Sequence, residues 1–259
     1  MKINFSKYQG TGNDFVMLDN LTGNYDDLTI TQVQQLCDRR FGVGADGLIK
    51  INKSSIGAFE MDYYNADGSK SFCGNGARCA VDFAASLGIT VENVKFVAID
   101  GLHNASANSL QVRLKMNDVL EVKKDGNAFV LYTGSPHYVL YNDDLSTKNI
   151  TEIGREIRYS ATYKQEGINV TLVHRINEKE IAIATYERGV EDETLSCGTG
   201  ATACALVQDF LSDSPLNQVK VKVKGGELMV EFERVSSGHY QNIYLSGPAT
   251  FVFSGEINV

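Results

Sequence analysis

Two cysteines of this 259-residue chain lie in nearly the same local sequence. The chain reads SFCGNGARCAVDFAASLG around Cys73 and LSCGTGATACALVQDFLS around Cys197. Aligned on the cysteines, both segments contain Cys-Gly-x-Gly-Ala followed by residues with helical apolar periodicity. We therefore predict that a helix begins directly after each cysteine. The first-turn residues of these helices would be Gly74, Asn75, Gly198 and Thr199.

A cysteine at a helix N-terminus is suited to proton transfer. The unpaired N–H groups and the positive end of the helix dipole lower the pKa of a neighbouring thiol, and they can also hold a carboxylate or a developing oxyanion. Two such cysteines could act on one carbon, with a thiolate taking its proton while the opposing thiol protonates the other face. This chemistry is two-base stereoinversion, and it requires no cofactor.

The remaining cysteines favour a structural role. An odd number of cysteines in a long chain argues against a disulfide framework, so we expect reduced thiols. Cys37, Cys79 and Cys204 fit small buried hydrophobic positions. The cysteine spacings match no zinc pattern, and the four histidines are scattered without HExxH. We expect no bound metal.

The sequence around each cysteine repeats as well. Alternating strand patterns, AFEMDYYN and IAIATYER, precede the two motifs, and hairpin patterns that turn at glycine follow them. The repeat predicts an α+β fold of two pseudo-symmetric domains, 1–118 and 119–247, each with antiparallel strands around one apolar helix. We place the boundary in the polar stretch 118–127. Equivalent loops of the two domains would face a shared cleft, the expected active site.

One glycine motif resembles a nucleotide-binding fingerprint. The segment from Gly42 to Gly47, GVGADG, fits G-x-G-x-x-G letter by letter. A true fingerprint follows a strand and opens a helix, but here the helix-like TQVQQLCDRR comes before the glycines and the strand-like LIKIN comes after them. The reversed order indicates a substrate-lining turn.

Composition excludes several classes of function. The formal charge is −8 and the pI is near 5.1, so the chain lacks the basic surface of a nucleic-acid-binding protein. No apolar run approaches the ~20 residues that span a bilayer. The opening MKINFSKYQGTGNDF lacks the apolar core of a secretory signal. We therefore expect a soluble cytoplasmic protein with a small-molecule partner.

In its cysteine motifs and glycine-containing segments the sequence resembles the diaminopimelate epimerase family. Members of that family invert one centre of LL-2,6-diaminopimelate to the meso form without a cofactor. The two cysteine motifs in order, with YERG ahead of the second, carry most of the resemblance. The other matching segments are GTGNDF, GVGADG, NADGSKSFC, GSPH, GINV, GGEL and GPATFVFSGEI.

The resemblance implies a role for each matching position. Cys73 and Cys197 match the acid–base pair, and His137 and Glu187 match residues that tune the two thiols. Arg188 can pair with a distal carboxylate as a bidentate fork, while Glu187 offers a counter-charge for an ammonium. The implied substrate-binding residues are Asn13, Gly47, Asn65, Gly74, Asn75, Ser135, Asn169, Glu187, Arg188, Gly198 and Thr199.

Two of these positions depart from the family pattern, and a third has an alternative role. Many family members carry glutamine where this chain has Gly47. The contact that the glutamine side chain makes is therefore lost here or made by the backbone. Ser135, which stands where many members have asparagine, can still donate and accept a hydrogen bond. Asn13, within a glycine-containing loop, also fits a plain turn residue.

The resemblance also implies the architecture and the biology. We expect two barrel-like domains, each wrapped around a central helix, and a C-terminal tail, about 248–259, that returns to the first domain. We further expect a homodimer and a place in lysine and peptidoglycan precursor biosynthesis. Phe253 falls where members carry a dimer-contact aromatic, although a strand phenylalanine equally fits a core position.

Two alternative functions stay open. A proline or histidine racemase with the same two-cysteine fold acts on a single amino-acid head and has no need for the Glu187–Arg188 pair. A non-catalytic amino-acid-binding protein on this scaffold would not require both cysteines.

Overall fold

The computed structural model describes residues 1–142, 145 and 149–259, which form seventeen strands and four helices. The first nine elements are β1 (Lys2–Gly10), β2 (Asn13–Asn20), α1 (Ile30–Cys37), β3 (Gly47–Asn52), β4 (Phe59–Asn65), α2 (Gly74–Ser86), β5 (Val94–Ala98), β6 (Gly101–Ala107) and β7 (Val112–Lys115). The remaining elements are β8 (Lys123–Asp125), β9 (Ala128–Tyr132), β10 (Pro136–Tyr141), α3 (Ile150–Arg158), β11 (Asn169–Asn177), β12 (Glu180–Glu187), β13 (Asp192–Thr194), α4 (Gly198–Phe210), β14 (Gln218–Val223), β15 (Gly226–Ser236), β16 (His239–Gly247) and β17 (Thr250–Asn258).

The chain divides into two compact units. The first unit comprises 1–114 and 247–259, and the second comprises 115–246. The polar stretch 118–127 contains β8, which pairs with β9 of the second unit. Strands and helices are both present in each unit, which confirms the α+β class. Among the described residues, no helix has the length and apolar character needed to cross a membrane.

In the first unit a sheet curls around α2. Its strands pair in the order β17, β1, β2, β3, β4, β5, β6, β7, and only the β2–β3 and β4–β5 pairings within this order are parallel. The helix α2 contacts β17, β1, β2, β3, β4 and β6. Its small buried residues, among them Ala77, Ala80 and Ala84, allow this close enclosure.

In the second unit the sheet curls around α4. Its strands pair in the order β8, β9, β10, β11, β12, β14, β15, β16, and β13 forms a further pairing with β12. The β10–β11 and β12–β14 pairings are parallel. The helix α4 is buried over most of its length and contacts β9, β10, β11, β12, β14 and β15.

The two units repeat one topology. From β1 to β7 and from β9 to β16, leaving out β13, successive pairings are antiparallel, parallel, antiparallel, parallel, antiparallel and antiparallel. The central helices have 13 residues each and stand at the same point of the repeat. The internal repeat that the sequence predicted is therefore confirmed. The helix α3, which was not predicted from the sequence, occupies the place of α1 in the second copy.

Candidate functional site

Both repeated cysteines occupy the N-cap of a central helix. Cys73 precedes α2 with φ −130° and ψ 115°, and Cys197 precedes α4 with φ −118° and ψ 108°. This extended backbone brings the side chain over the first helical turn, where N–H groups lack intrahelical partners. The Gly76 N–H donates to the Cys73 sulfur (3.5 Å). The predicted helix starts are confirmed.

Asn13 lies beside Cys73 because of a tight turn. Thr11 and Gly12 connect β1 to β2 with φ values of 51° and 88°, the left-handed backbone of a two-residue hairpin turn. Asn13 is the first residue of β2, and its Oδ1 lies 3.4 Å from the Cys73 sulfur and accepts from the Asn75 amide (3.4 Å). Asn13 therefore contacts the thiol and does more than complete a turn.

Asn65 and Gly47 lie at neighbouring strand ends in the same unit. They are paired in register, and Asn65 donates to the hydroxyls of Ser69 (3.0 Å) and Ser71 (3.2 Å) in the loop that leads to Cys73. A Cβ at Gly47 would lie 2.5 Å from the Tyr63 ring, and the Tyr63 hydroxyl donates to Asn65 Oδ1 (2.8 Å). Tyr63 thus occupies the space that a side chain at Gly47 would need, and the sequence analysis missed it.

Arg78 was also not predicted from the sequence. It is fully buried in α2, and its Nη2 donates to Asn75 Oδ1 (3.0 Å) and Thr11 Oγ1 (3.1 Å). Burial lowers its pKa, yet a guanidinium keeps its charge in proteins. The available signal was a charged residue in the first turns of a helix whose repeat copy has Thr202 at the equivalent position. The Cys73 cluster is defined as Cys73, Asn13, Asn65, Asn75 and Arg78.

The Cys197 thiol has different neighbours. Its sulfur lies 3.5 Å from the Thr199 hydroxyl, and it is hydrogen-bonded to the Glu187 carboxyl at the end of β12. Burial raises the pKa of Glu187, and hydrogen bonds to Thr194 and Cys197 oppose that rise. A carboxyl and a thiol in contact can share a single proton between them.

His137 reaches Cys197 through Thr199. Its Nε2 lies 2.9 Å from the Thr199 hydroxyl and 3.4 Å from the Asn169 amide nitrogen. The imidazole is fully buried, and burial together with the Arg188 charge lowers its pKa to about 3. His137 is therefore neutral near pH 7. A histidine can tune a thiol by its charge or by hydrogen bonding. Because His137 is neutral, it can act on Cys197 by hydrogen bonding, through the Thr199 hydroxyl.

Asn169 organises the remaining polar residues of the second unit. Its amide nitrogen donates to the Ser135 hydroxyl (3.0 Å), and its Oδ1 accepts from the Arg188 backbone N–H (2.8 Å). The exposed Arg188 guanidinium donates to the Glu166 carbonyl (2.7 Å). The Cys197 cluster is defined as Cys197, Ser135, His137, Asn169, Glu187, Arg188 and Thr199.

The other cysteines lie in the core. Cys37, Cys79 and Cys204 are buried thiols, and burial raises the pKa of all three, that of Cys37 to about 12. Phe253 is on β17, where it packs edge-on against Phe5 and stays 44 % exposed. Within the described ranges, no three His, Cys, Asp or Glu side chains form a group that could hold a metal ion.

The glycine motif at 42–47 has the element order predicted for it. The helix α1 precedes it and β3 follows it, which is the reverse of a dinucleotide-binding turn. Asp46 of this motif accepts a hydrogen bond from the Asn13 amide nitrogen (2.5 Å). The motif therefore contacts the Cys73 cluster.

Comparison with known proteins gives concordant results. The family model described as diaminopimelate epimerase matches residues 5–119 and 129–252. The diaminopimelate epimerase of Flavobacterium psychrophilum is 47% identical over 97% of this chain and 98% of its own length, and that of Chlorobaculum tepidum is 40% identical over 96% and 99%. A solved Bacillus anthracis phenazine biosynthesis protein of the PhzF family covers both chains completely at a TM-score of 0.77 and 14% identity, which shows a shared fold.

Proposed function

The chain belongs to the diaminopimelate epimerase family and is an isomerase, and from this premise we propose that it converts LL-2,6-diaminopimelate to the meso form with two thiols as acid and base. One observation carries the proposal. Cys73 and Cys197 are the N-caps of the two central helices, at equivalent points of a duplicated topology. Such duplication supplies the base and the acid that inversion of a single carbon requires.

The proposed reaction proceeds by transfer of two protons. The thiolate of one cysteine takes the α-hydrogen as a proton, and the electron pair of the broken C–H bond delocalises into the adjacent carboxylate. The thiol of the other cysteine then donates its proton to the opposite face of the same carbon. The substrate is inverted, and the two sulfurs have exchanged protonation states. The first-turn N–H groups of α2 and α4 would stabilise the carboxylate as it gains charge.

Open space next to Cys73 supports ligand binding there. A Cβ built on Gly74 would meet no atom of the described residues within 4 Å outside its own helix turn and chain neighbours. Protein packing therefore gives no reason for a glycine at this position. A substrate carboxylate approaching the N-terminus of α2 would use that space.

The distal end of the substrate would bind Arg188 and Glu187, two residues of the Cys197 cluster. Diaminopimelate carries a second carboxylate and a second ammonium, and Arg188 and Glu187 offer the opposite charges side by side. Asn13, Asn65, Asn169 and Ser135 would add hydrogen bonds. A single-headed amino acid such as proline or histidine would leave the charged pair unused.

A panel of substrates tests this function. The purified protein is incubated separately with LL-diaminopimelate, L-proline and L-histidine, and the stereoisomers are separated by chiral chromatography. We expect LL- and meso-diaminopimelate to interconvert while the other amino acids stay unchanged. Faster inversion of proline or histidine would assign the chain to a single-headed racemase, and inversion of none would favour an amino-acid-binding protein.

We also propose a homodimer, a cytoplasmic location and a role in supplying lysine and peptidoglycan precursors. Phe251, Val252 and Phe253 are consecutive apolar residues of β17, each 44–51% exposed, and a second copy could cover them. Sedimentation of the parent and of Phe253→Asp tests the dimer. A monomeric parent would contradict the dimer. A variant that dimerises like the parent would show that Phe253 does not lie at the dimer contact.

A further inference from the structure

We propose that Asp46 and Arg78 are positioning residues that fix the side-chain amides of Asn13 and Asn75 in one orientation beside Cys73. The inference deepens the proposed function, on which it rests, by assigning residues that set the proton affinity of one of its two thiols.

A chain of three hydrogen bonds connects the two charged residues. Arg78 Nη2 donates to Asn75 Oδ1 (3.0 Å), Asn75 Nδ2 donates to Asn13 Oδ1 (3.4 Å), and Asn13 Nδ2 donates to Asp46 Oδ2 (2.5 Å). Every bond points the same way, from the cation to the anion. Hydrogen bonds aligned in this manner polarise and strengthen one another.

The charges at the ends determine which way each amide faces. A side-chain amide has a donor end and an acceptor end of nearly equal shape, so it can rotate by half a turn without a steric cost. A rotated Asn75 would direct its N–H groups at the Arg78 guanidinium. A rotated Asn13 would direct its oxygen at the Asp46 carboxylate. Both arrangements lose a charge-assisted hydrogen bond and replace it with repulsion.

The orientation of Asn13 matters because its oxygen contacts the thiol. Asn13 Oδ1 lies 3.4 Å from the Cys73 sulfur, where it accepts from an S–H and repels a thiolate. A rotated amide would present its N–H groups and stabilise the thiolate instead. Asp46, by holding the amide nitrogen, therefore favours the protonated form of Cys73.

The charge of Arg78 favours the ionised form of Cys73, the opposite of the effect of Asp46. Its guanidinium is fully buried in the same helix, and an ionised Cys73 would interact favourably with it. Arg78 Nη1 is buried with no hydrogen-bond partner among the described residues, which destabilises the folded protein. A buried guanidinium with an unpaired nitrogen is unusual, so its position needs a physical reason. Its bonds to Asn75 and Thr11 and its charge near Cys73 supply one.

Other titratable groups lie near this chain of hydrogen bonds. Asp46 also binds Arg39 (2.8 Å), and Arg39 and Lys7 bind Asp14. Although burial raises the pKa of Asp14, these two cations lower it to about 2. Cys79, next to Arg78, has its pKa raised well above the usual range by burial. Neither Asp14 nor Cys79 therefore changes its charge in the pH range where an ordinary thiol titrates.

The experiment measures how fast iodoacetamide alkylates Cys73 as a function of pH, with peptide mapping to follow that residue alone. We expect Asp46→Asn to lower the midpoint pH of alkylation by about half a unit or more, and Arg78→Gln to raise it by a similar amount. Asp46→Glu and Arg78→Lys, which keep the charges, should stay near the parent. Opposite shifts are not expected from two variants that merely loosen the structure.

Asp38→Asn is the matched control. Asp38 lies in the same loop as Asp46, and its carboxylate binds the backbone of Arg40 and Phe41, not Asn13. We expect this variant to titrate like the parent. Equal midpoints for Asp46→Asn and Asp38→Asn would overturn the inference, as would shifts of Asp46→Asn and Arg78→Gln in the same direction.

The test gives a result even if one variant fails to fold or the parent is inactive. If Arg78→Gln fails to fold, the exposed Asp46 still decides the outcome through its Asn and Glu variants. Alkylation also needs no substrate, so an inactive parent would contradict the proposed function while leaving this inference open to support or refutation. With an active parent, Asp46→Asn should lower kcat/KM about tenfold and Asp46→Glu should restore most of it.

Discussion

The Cys73 and Cys197 clusters share a backbone plan and differ in their polar side chains. Each cysteine caps a 13-residue helix within the same order of strand pairings. The Cys73 sulfur faces the Asn13 amide with the buried Arg78 nearby, whereas the Cys197 sulfur faces the Glu187 carboxyl and the Thr199 hydroxyl. The scaffold therefore places the two thiols equivalently, and the polar side chains beside each thiol differ between the two units.

The ends of β4 and β12 show this difference in two residues. The first strand ends in Asn65 and is followed by Ala66, and the second ends in Glu187 and is followed by Arg188. A neutral pair in one unit and a charged pair in the other make a duplicated fold asymmetric. Such asymmetry suits a substrate with one reacting head and one distal charged head.

The largest expected effect is the loss of either repeated cysteine. Cys73→Ala and Cys197→Ala should each lower kcat by a factor on the order of 10² to 10⁴ or more, since each removes a proton donor or acceptor. Cys79→Ala and Cys204→Ala, in the same two helices, should keep most of the activity because those thiols are buried in the core. Steady-state kinetics with circular dichroism makes the comparison. Near-normal turnover in either repeated-cysteine variant would contradict the two-thiol reaction.

Arg188 should affect substrate choice. Replacing it with leucine removes a charge-assisted contact of about 1.5–3 kcal/mol, so kcat/KM for LL-diaminopimelate should fall about ten- to a hundredfold. Arg155→Leu, a change of another exposed arginine in the second unit, serves as the control and should have little effect. If Arg188→Leu were as efficient as the parent, the distal head would bind elsewhere.

Glu187→Gln makes the end of β12 neutral, as Asn65 makes the end of β4. An ionised carboxyl in contact with a thiol opposes the formation of a second negative charge. Without it, Cys197 should ionise at lower pH, and the alkaline limb of the pH–rate profile should move down by about one unit. Asn65→Gln, at the equivalent strand end, should leave that limb unmoved. An alkaline limb in the same place for Glu187→Gln would show that Glu187 does not tune Cys197.

His137 should make the protein sensitive to acid. Its pKa falls from 6.5 in the unfolded chain to about 3 in the folded protein, so unfolding takes up a proton below pH 6.5. The free energy of unfolding should therefore decrease as the pH falls, by at most about 1.4 kcal/mol per unit. Urea denaturation from pH 6.5 to 4.5 should show a shallower decrease for His137→Gln, whereas His239→Gln should follow the parent. Equal slopes for parent and His137→Gln would show that His137 is not held neutral.

The sequence predicted those features that are local or repeated. A cysteine directly before an apolar-periodic segment identifies an N-cap, and two copies of one motif indicate a duplicated topology. The roles of Arg78 and Tyr63 depend on contacts between strands and helices far apart in sequence. No pattern along the chain shows that Tyr63 fills the space beside Gly47, or that burial keeps His137 neutral, because both facts follow from how the sheet closes around its helix.

The central claim is that one thiol removes the proton and the other replaces it, and deuterium labelling tests it most directly. LL-Diaminopimelate is converted by the enzyme in deuterated water, and substrate and product are analysed at low conversion by mass spectrometry. We expect the meso product to carry one deuterium at the inverted carbon and the remaining LL-substrate to carry none, because the incoming proton comes from a second thiol that has exchanged with solvent. Deuterium appearing in the recovered substrate as fast as in the product, or a product without deuterium, would contradict a two-thiol reaction.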